Sequence, residues 1–201
     1  ALYIEPGATQ EVPFAINVPD NASPGGHYAA VLIGTQPAVD DARGSGVAIS
    51  SLISSLIFAK VTGDVVEMGR IQELSVGSTF YQQPKVDLTL RFHNQGNVHL
   101  QPQGDITIYN MWGKVRGVIP VNQLTEFGNV LPDSVRRYSY EWLGENNPFE
   151  FGRYRAVATL GFGSEAIQSS NASVSFWVVP VIPVVAALSG FMVIVLVVSY
   201  V

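Results

Sequence analysis

An all-β chain closed by one apolar helix is what this sequence predicts, and three observations carry that prediction. Short runs of β-branched and aromatic residues recur between clusters of Gly, Pro, Asn and Asp from residue 1 to 177. No long stretch of that region repeats apolar residues at helical spacing. From Val178 to Val201 there are 24 residues without a charge, and about 20 apolar residues cross the core of a bilayer.

Composition narrows the class further. The 201 residues are 47% hydrophobic and 13% charged, with 19 Gly and 12 Pro. A disordered chain would be charge-rich and poor in apolar residues, and a coiled coil would be rich in Ala, Glu, Lys and Leu. Cysteine is absent, so disulfides, thiolate metal sites and cysteine nucleophiles are excluded. A net charge of −5 argues against non-specific nucleic-acid binding.

The chain divides into residues 1–75, 76–177 and 178–201. In the first unit, Leu2–Glu5 reads as a short strand closed by Pro6 and Gly7. Gln10–Val18 alternates, with Val12, Phe14, Ile16 and Val18 on one face. Pro19–Gly26 is a turn cluster. His27–Thr35 is a continuous apolar strand, and the loop after it carries Asp40, Asp41 and Arg43. Val47–Thr62 reads as a strand, with a helix as the other reading. Four or five strands are about half of an immunoglobulin-like sandwich, so this unit is incomplete and exposes core and strand edges. Its missing strands come from upstream or from a partner.

The second unit holds seven or eight strands in about 100 residues, the count of a complete Ig-like sandwich. In Val86–His93, Val86, Leu88, Leu90 and Phe92 point inward and Asp87, Thr89, Arg91 and His93 outward. The turn Asn94–Asn97 leads to Val98–Leu100, and Asp105–Met111 and Val115–Val121 flank a turn at Trp112–Lys114. After the corner Asn129–Asp133 come Ser134–Leu143, Gly152–Gly161 and Ala166–Trp177. Phe14, Ile16, Val31, Leu90, Ile106, Trp142 and Val157 are the expected core. Residues 1–75 carry three basic and eight acidic residues, and residues 76–177 eight of each, so the net charge sits on the first unit.

The last segment reads as a membrane anchor. Pro180 and Pro183 sit at its start, where a helix tolerates proline. Trp177 suits the headgroup region. Gly190, beside Ser189, is small enough for a helix–helix contact but falls short of GxxxG. No basic residue follows the run, and Ala1 opens almost directly onto a strand, so both ends read as cut.

Candidates for chemistry are thin. His93 and His99 flank one turn, but a zinc site needs further ligands. Ser50, Ser51, Ser54 and Ser55 lie in no G-x-S-x-G elbow. Asp40 and Asp41 with Asp64 or Glu67 match no calcium loop. Arg136 and Arg137 beside Tyr138 and Tyr140 are candidates for an anionic glycan or phosphate. Tyr154 is a candidate corner tyrosine.

The segments LYIEPGATQEVPFAINVP, GGHYAAVLIG, GSGVAISSLISSLIFAKVTG and VDLTLRFHNQGNVHLQPQGDITI follow one another. In that order they resemble the WxL-interacting cell-surface proteins of Gram-positive bacteria. The most specific pieces are Phe92, Asn94, Gly96 and Asn97 with Pro102 and Gly104, and Gly152 to Tyr154. The resemblance implies tandem Ig-like domains before a transmembrane helix, a first domain that binds peptidoglycan and a second that meets host or matrix ligands. It departs in the missing opening strands and basic tail.

The expectation is a non-enzymatic, single-pass protein of the cell membrane with its bulk outside the cytoplasm and no cofactor. It would be a stalk, adhesive or cell-wall-binding module, with Asp40, Asp41, Arg43, Arg136 and Arg137 as ligand-binding candidates. Its expected partners are membrane lipid, cell-wall polymer and other surface proteins, not nucleic acid. The other reading is a structural subunit of an envelope assembly, its first unit completed by a neighbouring chain.

Overall fold

The structure, a computed structural model, describes residues 3–35, 51–123, 128–145, 151–164 and 167–200, with the backbone alone for 181–188. Its strands are β1 (Gly25–Gly34), β2 (Leu52–Val61), β3 (Gly69–Val76), β4 (Phe80–Tyr81), β5 (Lys85–Asn94), β6 (Gln103–Tyr109), β7 (Val115–Val121), β8 (Val135–Leu143), β9 (Gly152–Phe162) and β10 (Gln168–Val178). One helix follows, α1 (Val181–Tyr200). The chain is mostly β, as the turn-punctuated pattern predicts.

Two sheets form a sandwich. One has the order β4-β10-β9-β6-β7 and the other β3-β5-β8. The alternation of β5 holds as expected, with Val86, Leu88, Leu90 and Phe92 essentially inaccessible to solvent. Facing them are Ile106 and Ile108 from β6 and Tyr154, Ala156, Ala158, Leu160 and Phe162 from β9. Phe92 meets Phe162 edge to face with centroids 5.2 Å apart. Tyr154 stacks on Phe176 at 5.7 Å, and Trp142 packs against both. Strand β3 begins at Gly69 and pairs with β5, so residues 69–75 belong to this sandwich and not with β1 and β2.

Some expected core residues are placed otherwise. Leu90, Ile106 and Trp142 are buried. Val157 points away from the core, because the period of β9 counted from buried Tyr154 turns Ala156 and Ala158 inward. Phe14 and Ile16 are 65% and 57% exposed. Residues 10–18 form no strand, nor do residues 3–5. A strand exists by its pairing; Pro13 removes one donor, and no described segment lies in register beside Gln10–Val18.

Strands β1 and β2 form a separate antiparallel hairpin, with Tyr28 opposite Phe58, Leu32 opposite Ser54 and Ile33 opposite Ile53. Both of its faces are apolar, and Leu32, Ile33, Leu52, Ile53 and Leu56 are all exposed. The hairpin meets the end of the sandwich formed by the start of β3, the end of β5 and the β9–β10 turn. Helix α1 leaves from the other end, where β10 finishes.

Candidate functional site

The turn after β5 is the joint between hairpin and sandwich. Buried Asn94 donates from Nδ2 to the carbonyls of Val98 (2.7 Å) and Val130 (2.8 Å), while its Oδ1 accepts the N–H of Gly96 at 2.9 Å. Gly96 lies so close to the preceding linker that a Cβ there would stand 2.1 Å from the Val66 carbonyl. Asn97 accepts from Val66 N at 2.8 Å and donates to the Asp64 carbonyl at 2.9 Å. Its own carbonyl accepts the N–H of Gly26, the second residue of β1, at 2.9 Å.

Two clusters complete the joint. His99 packs against Tyr28 and Phe58 of the hairpin, with ring centroids 5.9 and 5.3 Å away. Burial, with the charge of Lys60 acting in the same direction, holds the His99 imidazole below the usual histidine pKa; Glu67 opposes them more weakly. Lys60 Nζ lies 2.8 Å from Glu67 Oε1 and 2.9 Å from Ser164 Oγ. Ser164 donates its N–H and its hydroxyl to the same carboxylate, at 2.8 and 2.6 Å. Glu67, weighed in the sequence as a calcium ligand, is therefore an ion-pair partner across the joint. Among the described residues, no group of three His, Asp or Glu is placed to hold a metal. The joint was invisible in the sequence because Lys60 and Ser164 are 104 positions apart. Its one legible sign was the Asn94-Gln95-Gly96-Asn97 turn.

The sequence-derived ligand candidates do not converge. Asp40, Asp41 and Arg43 lie outside the described residues. Arg136 and Arg137 are adjacent in β8 and point to opposite faces. Arg136 donates to the Asn129 carbonyl at 2.8 Å and lies 5.6 Å over the Tyr138 ring. Tyr138 donates to the Gly128 carbonyl at 3.0 Å, and burial pushes its phenol up to about 12. Arg137 sits on the outer face opposite Arg91, in an open cleft with Glu73, Thr89 and Val135. Glu73 lies 3.5 Å from Arg91, so this face carries mixed charge. His93, 3.8 Å from Asp133, and His99 occupy different surroundings.

Of the residues expected to anchor the chain, Trp177 is 40% exposed and its backbone N–H donates to the Thr79 carbonyl at 2.8 Å. Pro180 precedes α1 and Pro183 lies in its first turn. Among the described residues of the chain, none approaches within 4 Å of the space a Cβ would take at Gly190. Side chains of α1 are described from Ser189 on, and among the described residues no helix is long and apolar enough to cross a membrane.

No protein-family model matches the chain, and no curated protein does. Two solved structures show weak likeness. One is Northeast Structural Genomics Consortium target SoR45, at 18% identity over 57% of this chain and 84% of that one, with a TM-score of 0.32. The other is a beta-glucosidase from Kluyveromyces marxianus, at 12% identity over 57% of this chain and 15% of that one, with a TM-score of 0.30.

Proposed function

We propose that this chain is a non-enzymatic, membrane-anchored stalk of the cell envelope, with the β units outside the cytoplasm and the hairpin held away from the bilayer. The observation that carries the reading is α1. Counted over all 20 residues, including 181–188 whose side chains are not described, it rises about 30 Å at 1.5 Å each, the thickness of a bilayer core, although the described part alone does not make a span. It bears no charge, and its described side chains from Phe191 to Val198 are all exposed and apolar. A helix that is apolar on every side needs either a protein core or lipid around it. It leaves from the end of the sandwich opposite the hairpin, the geometry of a spacer. The pattern shared with WxL-interacting proteins supports the same arrangement and makes cell-wall polymer the first ligand to test.

The test is reconstitution of the full chain into lipid vesicles, followed by an alkaline wash and protease digestion. A chain that stays with the vesicles and is cleaved in its β units, leaving an intact α1, fits the proposal. Release by the alkaline wash would sink it.

A second reading, a subunit of a larger assembly, draws on the hairpin: both faces of β1–β2 are apolar and exposed. Native mass spectrometry of the chain in detergent separates the two readings. A monomer favours the stalk, and a defined oligomer favours strand completion by a neighbour.

A further inference from the structure

The strand register gathers a set of exposed apolar side chains at the end of the sandwich from which α1 departs. Trp177 pairs with Phe80 on one side and Arg153 on the other. Val178 pairs with Gly152, and Phe151 immediately precedes that glycine. Met111 lies against Gly152, its Sδ 2.5 Å from where a Cβ would be. Leu143 ends β8 beside Pro84, since Gly144 N donates to the Pro84 carbonyl at 2.7 Å. Exposure is 67% for Phe80 and Leu143, 60% for Trp112, 55% for Met111, 49% for Phe151 and 40% for Trp177.

These side chains stand on a rigid base. Buried Asn110 accepts the N–H groups of Trp112 (3.1 Å) and Lys114 (3.0 Å) on Oδ1. It thereby fixes the β6–β7 turn that holds Trp112 outward. Of the three tryptophans, Trp142 is in the core and the other two lie here. Lys114 and Arg153, both exposed, flank the patch.

We infer that this end of the sandwich is itself a lipid-facing surface, seated in the headgroup layer by Phe80, Met111, Trp112, Leu143, Phe151 and Trp177. The inference rests on the anchor reading of α1 and adds that the sandwich lies on the membrane and does not swing above it. Indole and phenyl rings favour the membrane–water boundary. Lysine and arginine beside them favour anionic headgroups. Trp177 is only four positions before the first residue of α1, so a helix in the bilayer brings the patch to the surface. The composition of the patch fits a lipid interface better than a protein groove, because its apolar tips are spread over separate strand ends, with Lys114 and Arg153 beside them.

The absence of cysteine gives a direct test. Single variants Phe80→Cys, Trp112→Cys, Leu143→Cys, Asp133→Cys and Val195→Cys are labelled with a polarity-sensitive fluorophore. Each full chain is reconstituted in phosphatidylcholine–phosphatidylglycerol vesicles carrying nitroxide lipids, with the β-sheet circular dichroism of the chain as the check on folding. Labels at 80, 112 and 143 are expected to shift to the blue and to be quenched by shallow nitroxides at least about twofold more than the label at 133. Label 195 should respond to deep nitroxides. Quenching at 80, 112 and 143 no greater than at 133, with 195 still quenched, overturns the inference and leaves the anchor standing. Loss of quenching at 195 as well overturns both. Shielding of 80, 112 and 143 from aqueous iodide without nitroxide quenching overturns it in favour of a covering protein.

Discussion

Asn94 gives the sharpest test of how this fold is held. Its side chain is wholly buried and makes three hydrogen bonds, to the Val98 and Val130 carbonyls and from Gly96 N. Asn94→Ala removes all three. At about 1 kcal/mol net per bond, the loss comes to about 3 kcal/mol. The Val98 carbonyl would raise it by going unpaired, whereas the Val130 carbonyl keeps the Leu100 N–H at 3.0 Å. Asn94→Asp separates hydrogen bonding from shape. It fills the same space and keeps the acceptor for Gly96, but brings a carboxylate to carbonyls 2.7 and 2.8 Å from the present donor. An unpaired buried charge costs about 3–5 kcal/mol. The introduced carboxyl has its folded pKa raised above the unfolded value, so its penalty is full at neutral pH and shrinks as pH falls and the group protonates. Urea titration of the full chain in detergent, followed by the circular dichroism of its β-sheets, measures both variants. An Asn94→Asp chain as stable as the parent at neutral pH would refute the reasoning, since it would make Asn94 a space-filler.

Other outcomes follow from the same geometry. Gly96→Ala should drive the turn off the Val66 carbonyl and loosen the hairpin, read as faster proteolysis in residues 62–68 with the sandwich intact. Lys60→Met and Glu67→Gln should be non-additive. Their side chains are 28% and 11% exposed, so a double-mutant cycle should return a coupling of about 1 kcal/mol, lost with high salt only in part. The His99 imidazole is harder to protonate in the folded chain than in the unfolded one. Its contribution to stability is therefore full above about pH 6.5 and declines as pH falls from there towards the folded value; His99→Gln should flatten that part of the urea-midpoint profile. Tyr138→Phe should cost about 1 kcal/mol through the Gly128 hydrogen bond. Because the Tyr138 phenol is raised to about 12, the parent chain should lose stability as pH climbs above about 10, less so in the variant.

How far the sequence could be read depends on where each signal lives. The strands of the sandwich were legible because one face is buried and the other wet, which writes period two into the residues. Strand β5 is the plain case. The slip at Val157 shows the limit: a hydrophobicity ranking prefers valine to alanine inside, yet the inward positions of β9 go to Ala156 and Ala158. Arg136 and Arg137 were legible as a basic pair but not as a pair split across a strand. The joint was the least legible part. The Lys60–Glu67–Ser164 network and the Tyr28–Phe58–His99 cluster are made by tertiary approach alone, and no local spacing encodes it.

The same argument bears on Gln10–Val18. Its alternation is as clean as that of β5, and its side chains are exposed where those of β5 are buried. The difference lies in the neighbours: β5 has β3 on one edge and β8 on the other, while no described strand flanks Gln10–Val18. The hairpin shows the complementary deficit, strands that are paired but apolar on both faces, with His99 packed on Tyr28 and Phe58 at the base and Leu32, Ile33, Leu52 and Ile53 left exposed. If the two deficits answer one another, cysteines placed at Phe14 and at Leu32 or Ile57 should cross-link within one chain once the unit is complete. Cross-linking only between chains would instead assign completion to a neighbour. Absence of either product would mean that Val12, Phe14, Ile16 and Val18 meet a surface other than the hairpin, and the half-sandwich reading of the residues before β3 would fall.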